Sequence, residues 1–113
     1  MTMPDTIRLN VLLYREHDCW VARCVELDLV TSGPDLWEVA GDIQEVVKGQ
    51  MLYACAKDPE LTDLFRPVSE ELRRKVMTGR EKGEMLVEMD GHLLPAACQH
   101  KSVKIHYVMA EAA

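Results

Sequence analysis

The sequence contains no long apolar run. A membrane-spanning helix needs ~20 consecutive apolar residues, and no stretch of this chain approaches that length. The first residues, MTMPDTIR, also lack the apolar segment of a secretory signal peptide. We therefore expect a cytoplasmic protein with no membrane association.

Positive charge is in short supply as well. The chain has 13 Lys and Arg residues against 19 Asp and Glu residues, which gives a formal net charge of −6. Binding to nucleic acid through the whole surface requires a basic footprint, so this balance argues against that function. An acidic chain suits a basic partner instead.

Cysteine is present but not in a pattern that indicates disulfides or zinc. Cys19 and Cys24 lie five residues apart on one predicted strand, so their side chains point to opposite faces. That arrangement disfavours a bridge or a zinc pair. With Cys55 and Cys98, they are interpreted as free thiols packed as small hydrophobic groups.

The length and composition indicate one folded domain over residues 1–113. This length buries a core without disulfides or a metal. Apolar residues make up 48% and charged residues 28% of the chain, which is typical of globular proteins and argues against disorder. No catalytic signature stands out in the sequence.

The stretch from Cys19 to Ala54 organises the chain. Cys19–Glu26 is apolar and partly β-branched, which predicts a strand, and a third strand follows at Leu29–Ser32. A helix with a three-four apolar spacing runs from Leu36 to about Ala56. Asp35 is its predicted N-cap, with Glu38 three residues later.

The rest of the chain supplies further elements. Alternation of apolar and polar residues predicts a first strand before Cys19, joined by a four-residue hairpin loop, and a last strand near the C-terminus. A short charged helix capped by Ser69 and one more strand lie between. The predicted ranges are Ile7–Tyr14, Arg15–Asp18, Val68–Thr78, Glu84–Met89 and Val103–Met109.

These elements predict an α+β fold, a two-layer α/β sandwich of the order β-β-β-α-(α)-β. The last strand should lie beside the first, and the long helix should cover one sheet face. The second helix is short and highly charged, so we expect it to leave the other face open. Leu12 and Tyr14 would then be exposed on that face, which predicts a homo-oligomer, a dimer or higher, with these residues at the interface.

The run from Val11 to Val47 resembles the HicB antitoxin family. The similarity covers about a third of the chain and rests on an apolar strand, a polar hairpin and a helix with Glu38 near its start. It also rests on three short motifs: Trp20-Val21-Ala22, Leu27-Asp28-Leu29 and Ser32-Gly33.

The resemblance implies a degraded RNase H-like core that lacks catalytic residues and forms dimers or tetramers. Antitoxins of this family mask a small basic mRNA-cleaving toxin and commonly carry a C-terminal DNA-binding domain. Only four residues follow Met109, so we expect no direct DNA binding here. The segment Asp58–Lys101 is longer than the family core, so partner contacts cannot be copied from the family.

Two sets of residues offer enzymatic alternatives. Under an RNase H-like outline, Glu26, Asp28, Asp42 and Glu45 form a conceivable metal-binding set. Asp42 and Glu45 should face solvent on the long helix, however, and the first strand carries no central acidic residue. This disfavours a nuclease.

The second set lies late in the chain and comprises His92, Cys98, His100 and His106. The spacing matches no common zinc module. Cys98 and His100 as nucleophile and base lack a third, orienting group. We interpret these residues as surface histidines and a packed thiol, and Arg73-Arg74-Lys75 as a solvated helix face.

The sequence therefore predicts a non-enzymatic, HicB-like protein without cofactor or metal, an antitoxin-like module that binds a small basic toxin protein. The alternative is a stand-alone oligomer of the same fold with a structural or small-ligand-binding role.

Overall fold

The computed structural model describes residues 6–89, 94, 98–99 and 101–111, which form an α+β sandwich. A five-stranded sheet carries α1 on one face and α2 on the other. No helix within these ranges is long and apolar enough to cross a membrane. The elements in chain order are β1 (Thr6–Glu16), β2 (Cys19–Cys24), β3 (Leu29–Gly33), α1 (Leu36–Lys57), α2 (Glu70–Thr78), β4 (Arg80–Val87) and β5 (Ser102–Met109).

The strand order in the sheet is β3-β2-β1-β5-β4. The prediction that the last strand lies beside the first is confirmed, because β5 runs parallel to β1 with Ile7 beside Val103. β4 pairs antiparallel with β5 and stands at the end of the sheet. It begins and ends earlier than the predicted strand Glu84–Met89. The predicted turn at Asp90-Gly91 lies outside the described residues.

The hairpin between β1 and β2 is tighter than predicted. Both strands extend toward each other, with Glu16 paired to Cys19, so only His17 and Asp18 form the loop. Both loop residues have positive φ, 52° and 68°. Positive φ at both central residues is characteristic of a type I′ turn, whose twist matches that of paired strands.

α1 follows its prediction closely. The Asp35 carboxylate accepts hydrogen bonds from the backbone N–H of Trp37 at 2.8 Å and of Glu38 at 3.2 Å, which confirms the N-cap. The buried positions recur every four residues, and the helix packs mainly on β2 and β3. Those positions are Val39, Ile43, Val47, Met51 and Cys55.

The expectation that α2 leaves the second face of the sheet open is wrong. Leu12 is only 1% exposed and forms a small core with Val25 and Val108. α2 covers Leu12, because the narrow apolar edge of the helix, formed by Leu72 and Val76, packs on this core. A helix with few apolar side chains suffices because the buried patch is itself small. The premise that made Leu12 an interface residue is therefore wrong.

Tyr14 lies at the edge of the same small core and is only half-buried. Its predicted contact with a second copy stays a prediction.

Candidate functional site

An apolar groove runs between the first half of α1 and the end strand β4. Its volume is about 300 Å³. We call it the edge groove; its lining residues are Leu36, Trp37, Ala40, Gln44, Lys82, Gly83, Glu84, Met85, Tyr107 and Met109.

The groove exists because α1 packs on β2 and β3 rather than across the whole sheet. Among the described residues, no helix packs on β4 or on the neighbouring end of β5 around Met109 on this face of the sheet. Tyr107 forms the floor and is 8% exposed. Its hydroxyl donates to the Ala40 carbonyl at 2.8 Å and accepts from Gln44 Nε2 at 2.9 Å. These bonds tie the floor of the groove to α1.

Burial also raises the pKa of Tyr107 above its ordinary value. The phenol is thus neutral near pH 7, with its hydroxyl already engaged. It shapes the groove and offers no catalytic base.

Trp37 forms the most prominent wall of the edge groove. It is 81% exposed, although it is the second residue of α1 and its backbone is fixed by the Asp35 cap. On the opposite wall, Met85 is 44% exposed. Tryptophan is enriched among the residues that dominate protein–protein binding energy, and methionine adapts its shape to a partner. The two walls together suit an apolar protein segment.

Charged residues occur in the β4 wall of the groove and next to its α1 wall along the chain. Asp35 and Glu38 flank Trp37 along the chain, and both are exposed. On the β4 side, Glu84 lies 3.7 Å from Lys104, and Lys82 lines the groove. The α1 residues that line the groove are uncharged, with Asp35 and Glu38 next to them along the chain, while the β4 wall carries both signs.

A polar network crosses the opposite sheet face. Glu26 accepts from the Asn10 backbone N–H at 2.8 Å and from Asn10 Nδ2 at 2.7 Å. The Asn10 Oδ1 therefore faces His106 Nδ1, 3.2 Å away, and must accept its proton. His106 Nε2 lies 2.7 Å from a Glu81 carboxylate oxygen.

This network joins β1, β5 and β4 but presents no nucleophile. Because Asn10 occupies both Glu26 oxygens, that carboxylate is a structural acceptor. Two features of the sequence point to this network: the polar Asn10 in an apolar strand and the outward position of His106. The alternation within each strand does not indicate that the two residues are in contact.

The four carboxylates considered as a nuclease set are not brought together. Asp28 pairs with Arg23 at 3.2 Å, at a turn where its φ is 55°. Asp42 and Glu45 are exposed on α1, and Glu45 lies 3.7 Å from Lys48. The part of the chain that the structure describes holds no group of three or more His, Cys, Asp or Glu residues able to bind a metal.

The late histidine–cysteine set is placed only in part. His92 and His100 lie outside the described residues, and His106 belongs to the polar network. Cys98 is buried, and its thiol donates to the Pro59 carbonyl at 3.5 Å. It also contacts the thiol of Cys55, whose pKa is raised to about 12 by burial first and by Cys98 next. These are packed thiols rather than activated nucleophiles.

A second depression of about 520 Å³ lies at the C-terminal end of α1. Tyr53 and Phe65 contribute aromatic surface, and Lys57 and Arg66 contribute positive charge. Asp58 also lines it, but that carboxylate is held by Thr62 and by the Glu60 backbone N–H, which lower its pKa.

Comparison of the chain with family models, with curated proteins and with solved structures finds no match.

Proposed function

We propose that the protein is a non-enzymatic, antitoxin-like binding module that holds a small basic protein in the edge groove. The observation that carries this proposal is the exposure of Trp37 beside the apolar floor formed by Tyr107 and Met109. A large aromatic side chain held in solvent by a capped helix gains stabilisation only when a partner covers it.

The charge of the chain supports a basic partner. Its net charge of −6 attracts a positively charged protein and accelerates encounter between the two. Asp35 and Glu38 place part of that charge next to Trp37 along the chain.

The motifs Trp20-Val21-Ala22 and Leu27-Asp28-Leu29 support the antitoxin-like interpretation through the HicB resemblance. In that family the partner is a small basic RNA-cleaving toxin. The partner proposed here has the same chemistry: small, basic and presenting an apolar segment.

A growth experiment tests the proposal. The proposal requires a small basic protein encoded in an adjoining reading frame, and this protein is expressed alone and together with the chain. We expect growth arrest from the basic protein, relief by the wild-type chain and no relief by Trp37→Ala. Met77→Ala, which truncates an equally exposed side chain on α2, is the control and should relieve arrest. The absence of a small basic frame, or relief by Trp37→Ala, contradicts the proposal.

Small-ligand binding is the second candidate, favoured by the 520 Å³ depression. This depression suits a planar anion. The aromatic faces of Tyr53 and Phe65 can stack on a ring, and the cations of Lys57 and Arg66 can pair with its negative charge. A rise in melting temperature with adenosine monophosphate that Tyr53→Ala abolishes would support this role. An unchanged melting temperature at millimolar nucleotide would count against it.

A further inference from the structure

β4 has two halves of different character. The register against β5 shifts between Glu81 and Gly83, so Lys82 forms a bulge. Bulges and charged side chains are the usual protection of an end strand against pairing with another chain. Here the bulge and three consecutive charged side chains lie in the first half, from Arg80 to Lys82.

The second half of β4, Gly83–Val87, keeps a regular register against β5, and its one charged side chain, Glu84, is paired with Lys104 of β5. Met85 and Leu86 are large apolar residues, yet their side chains are 44% and 57% exposed. Both belong to β4, which is the end strand of the sheet. They point to opposite faces, Met85 toward the edge groove and Leu86 away from it. One flat partner on either face would cover only one of them. A strand added along the edge of β4 approaches both.

From these observations we infer that a second copy of this chain pairs through Gly83–Val87, antiparallel about a twofold axis at Met85. Residues directly opposite each other in an antiparallel pair share a face, which limits the alternatives. An axis at Glu84 would place two glutamates opposite each other. An axis at Leu86 would place Glu84 opposite Glu88. Like charges in those positions are destabilising.

The axis at Met85 produces no like-charge pair. It sets the two Met85 side chains against each other on the groove side and Leu86 against the aliphatic part of Glu84 on the other side. An axis at Gly83 would force the bulged Lys82 and Glu81 into the ladder, where the alternation of faces is broken. Among the axes at Gly83, Glu84, Met85 and Leu86, only the axis at Met85 avoids both a like-charge pair and the bulge.

This pairing completes the edge groove and so rests on the proposed function. In one copy, the described part of the chain gives the groove a helical wall on the Trp37 side. In the pair, β5 and β4 of both copies form a continuous floor, and a Trp37 stands at each side. The site for the basic partner is then a symmetric cleft that one copy cannot form.

Light scattering on the full chain at micromolar concentration tests the pairing. We expect a mass twice the monomer's 12.8 kDa for the wild type. Met85→Lys would place two ammonium groups at the axis and should give the monomer mass. Met77→Lys makes the same change at an exposed methionine of α2 and should remain dimeric. Circular dichroism establishes that each variant is folded. A monomeric wild type, or a Met85→Lys dimer, overturns the inference.

A cysteine variant tests the register. Opposed residues of paired strands lie within the Cα separation that a disulfide requires. Under oxidised glutathione, two Met85→Cys chains should form a symmetric disulfide while the glutathione is reduced to two thiols. Met77→Cys should not cross-link. Cross-linking of both variants at equal rates would contradict the register.

The two proposals fail separately. A monomeric chain that still binds the basic protein through Trp37 overturns only the pairing. A chain that pairs through Met85 but does not bind the basic protein overturns only the proposed function.

Discussion

Leu12 of β1 lies directly beside Val108 of β5, and both side chains are 1% exposed. They form the centre of the small core under α2, which Leu72 and Val76 close from above. α2, the more highly charged of the two helices, therefore packs on the face of the sheet opposite α1.

Truncation of Leu12 tests this role. Leu12→Ala should lower the free energy of unfolding by about 2–5 kcal/mol, because it removes buried methyl groups and leaves a cavity. Met77→Ala, on the exposed side of the same helix, should change it by less than about 0.5 kcal/mol. Urea denaturation followed by circular dichroism measures both. A loss at Leu12 no larger than that at Met77 would show that α2 does not pack there.

Gly79 lets α2 turn directly into β4. A Cβ atom at this position would lie 2.4 Å from Val108 Cγ1 and 2.7 Å from the Met109 carbonyl oxygen. Gly79→Ala should therefore destabilise the protein by about 1–3 kcal/mol, because backbone must move.

Gly41 provides the matched control. It lies inside α1 with nothing within 4 Å of an added Cβ. Gly41→Ala should stabilise the protein by about 0.5–1 kcal/mol through helix propensity. Equal effects of the two Gly→Ala changes on the melting temperature would contradict the close approach at Gly79.

The buried thiols make stability depend on alkaline pH. Burial raises the pKa of Cys24 from 9.0 to about 12, and Cys55 is raised to about 12 as well. The unfolded chain releases these protons near pH 9 while the folded chain retains them, so the stabilisation is present below pH 9 and declines as pH rises toward 12.

Cys24→Ala removes one of the two thiols whose pKa is raised in the folded protein. We expect a shallower decline in the free energy of unfolding between pH 9 and 12 than in the wild type. The raised pKa of Tyr107 acts equally in both proteins and cancels in the comparison. Identical slopes would show that Cys24 does not contribute.

Sequence periodicity predicted the elements whose environment is set by their own pattern. In β1 and β5 the alternation of apolar residues reports the buried face directly. In α1 the three-four apolar spacing identified Val39, Ile43, Val47 and Met51 as buried, and Asp35 marks the start of the helix.

The elements that depend on distant neighbours were predicted less well. The cover of Leu12 comes from Leu72, sixty residues later, and nothing local in β1 indicates it. The first half of β4, rich in charge from Arg80 to Lys82, shows no alternation and becomes a strand because β5 offers a hydrogen-bonding edge. Trp37 lies off the apolar stripe of α1, and its position in a groove wall depends on β4, which lies more than forty residues later in the chain.

The separated carboxylates lead us to expect no divalent-metal-dependent nuclease activity. Asp28 is engaged by Arg23, and Glu26 by Asn10. Incubation of the protein with RNA and with DNA in magnesium or manganese should leave both intact. Cleavage that disappears in Asp28→Asn would contradict the non-enzymatic interpretation.

Calorimetric titration of this chain with the small basic protein that the proposal requires in an adjoining reading frame tests the central claim most directly. We expect saturable binding that weakens as salt is raised, because part of the attraction is between opposite charges. Trp37→Ala should weaken the affinity by about tenfold or more, as expected for a central aromatic anchor, while Met77→Ala retains it. Absence of binding, or equal affinity of Trp37→Ala and wild type, would contradict the account.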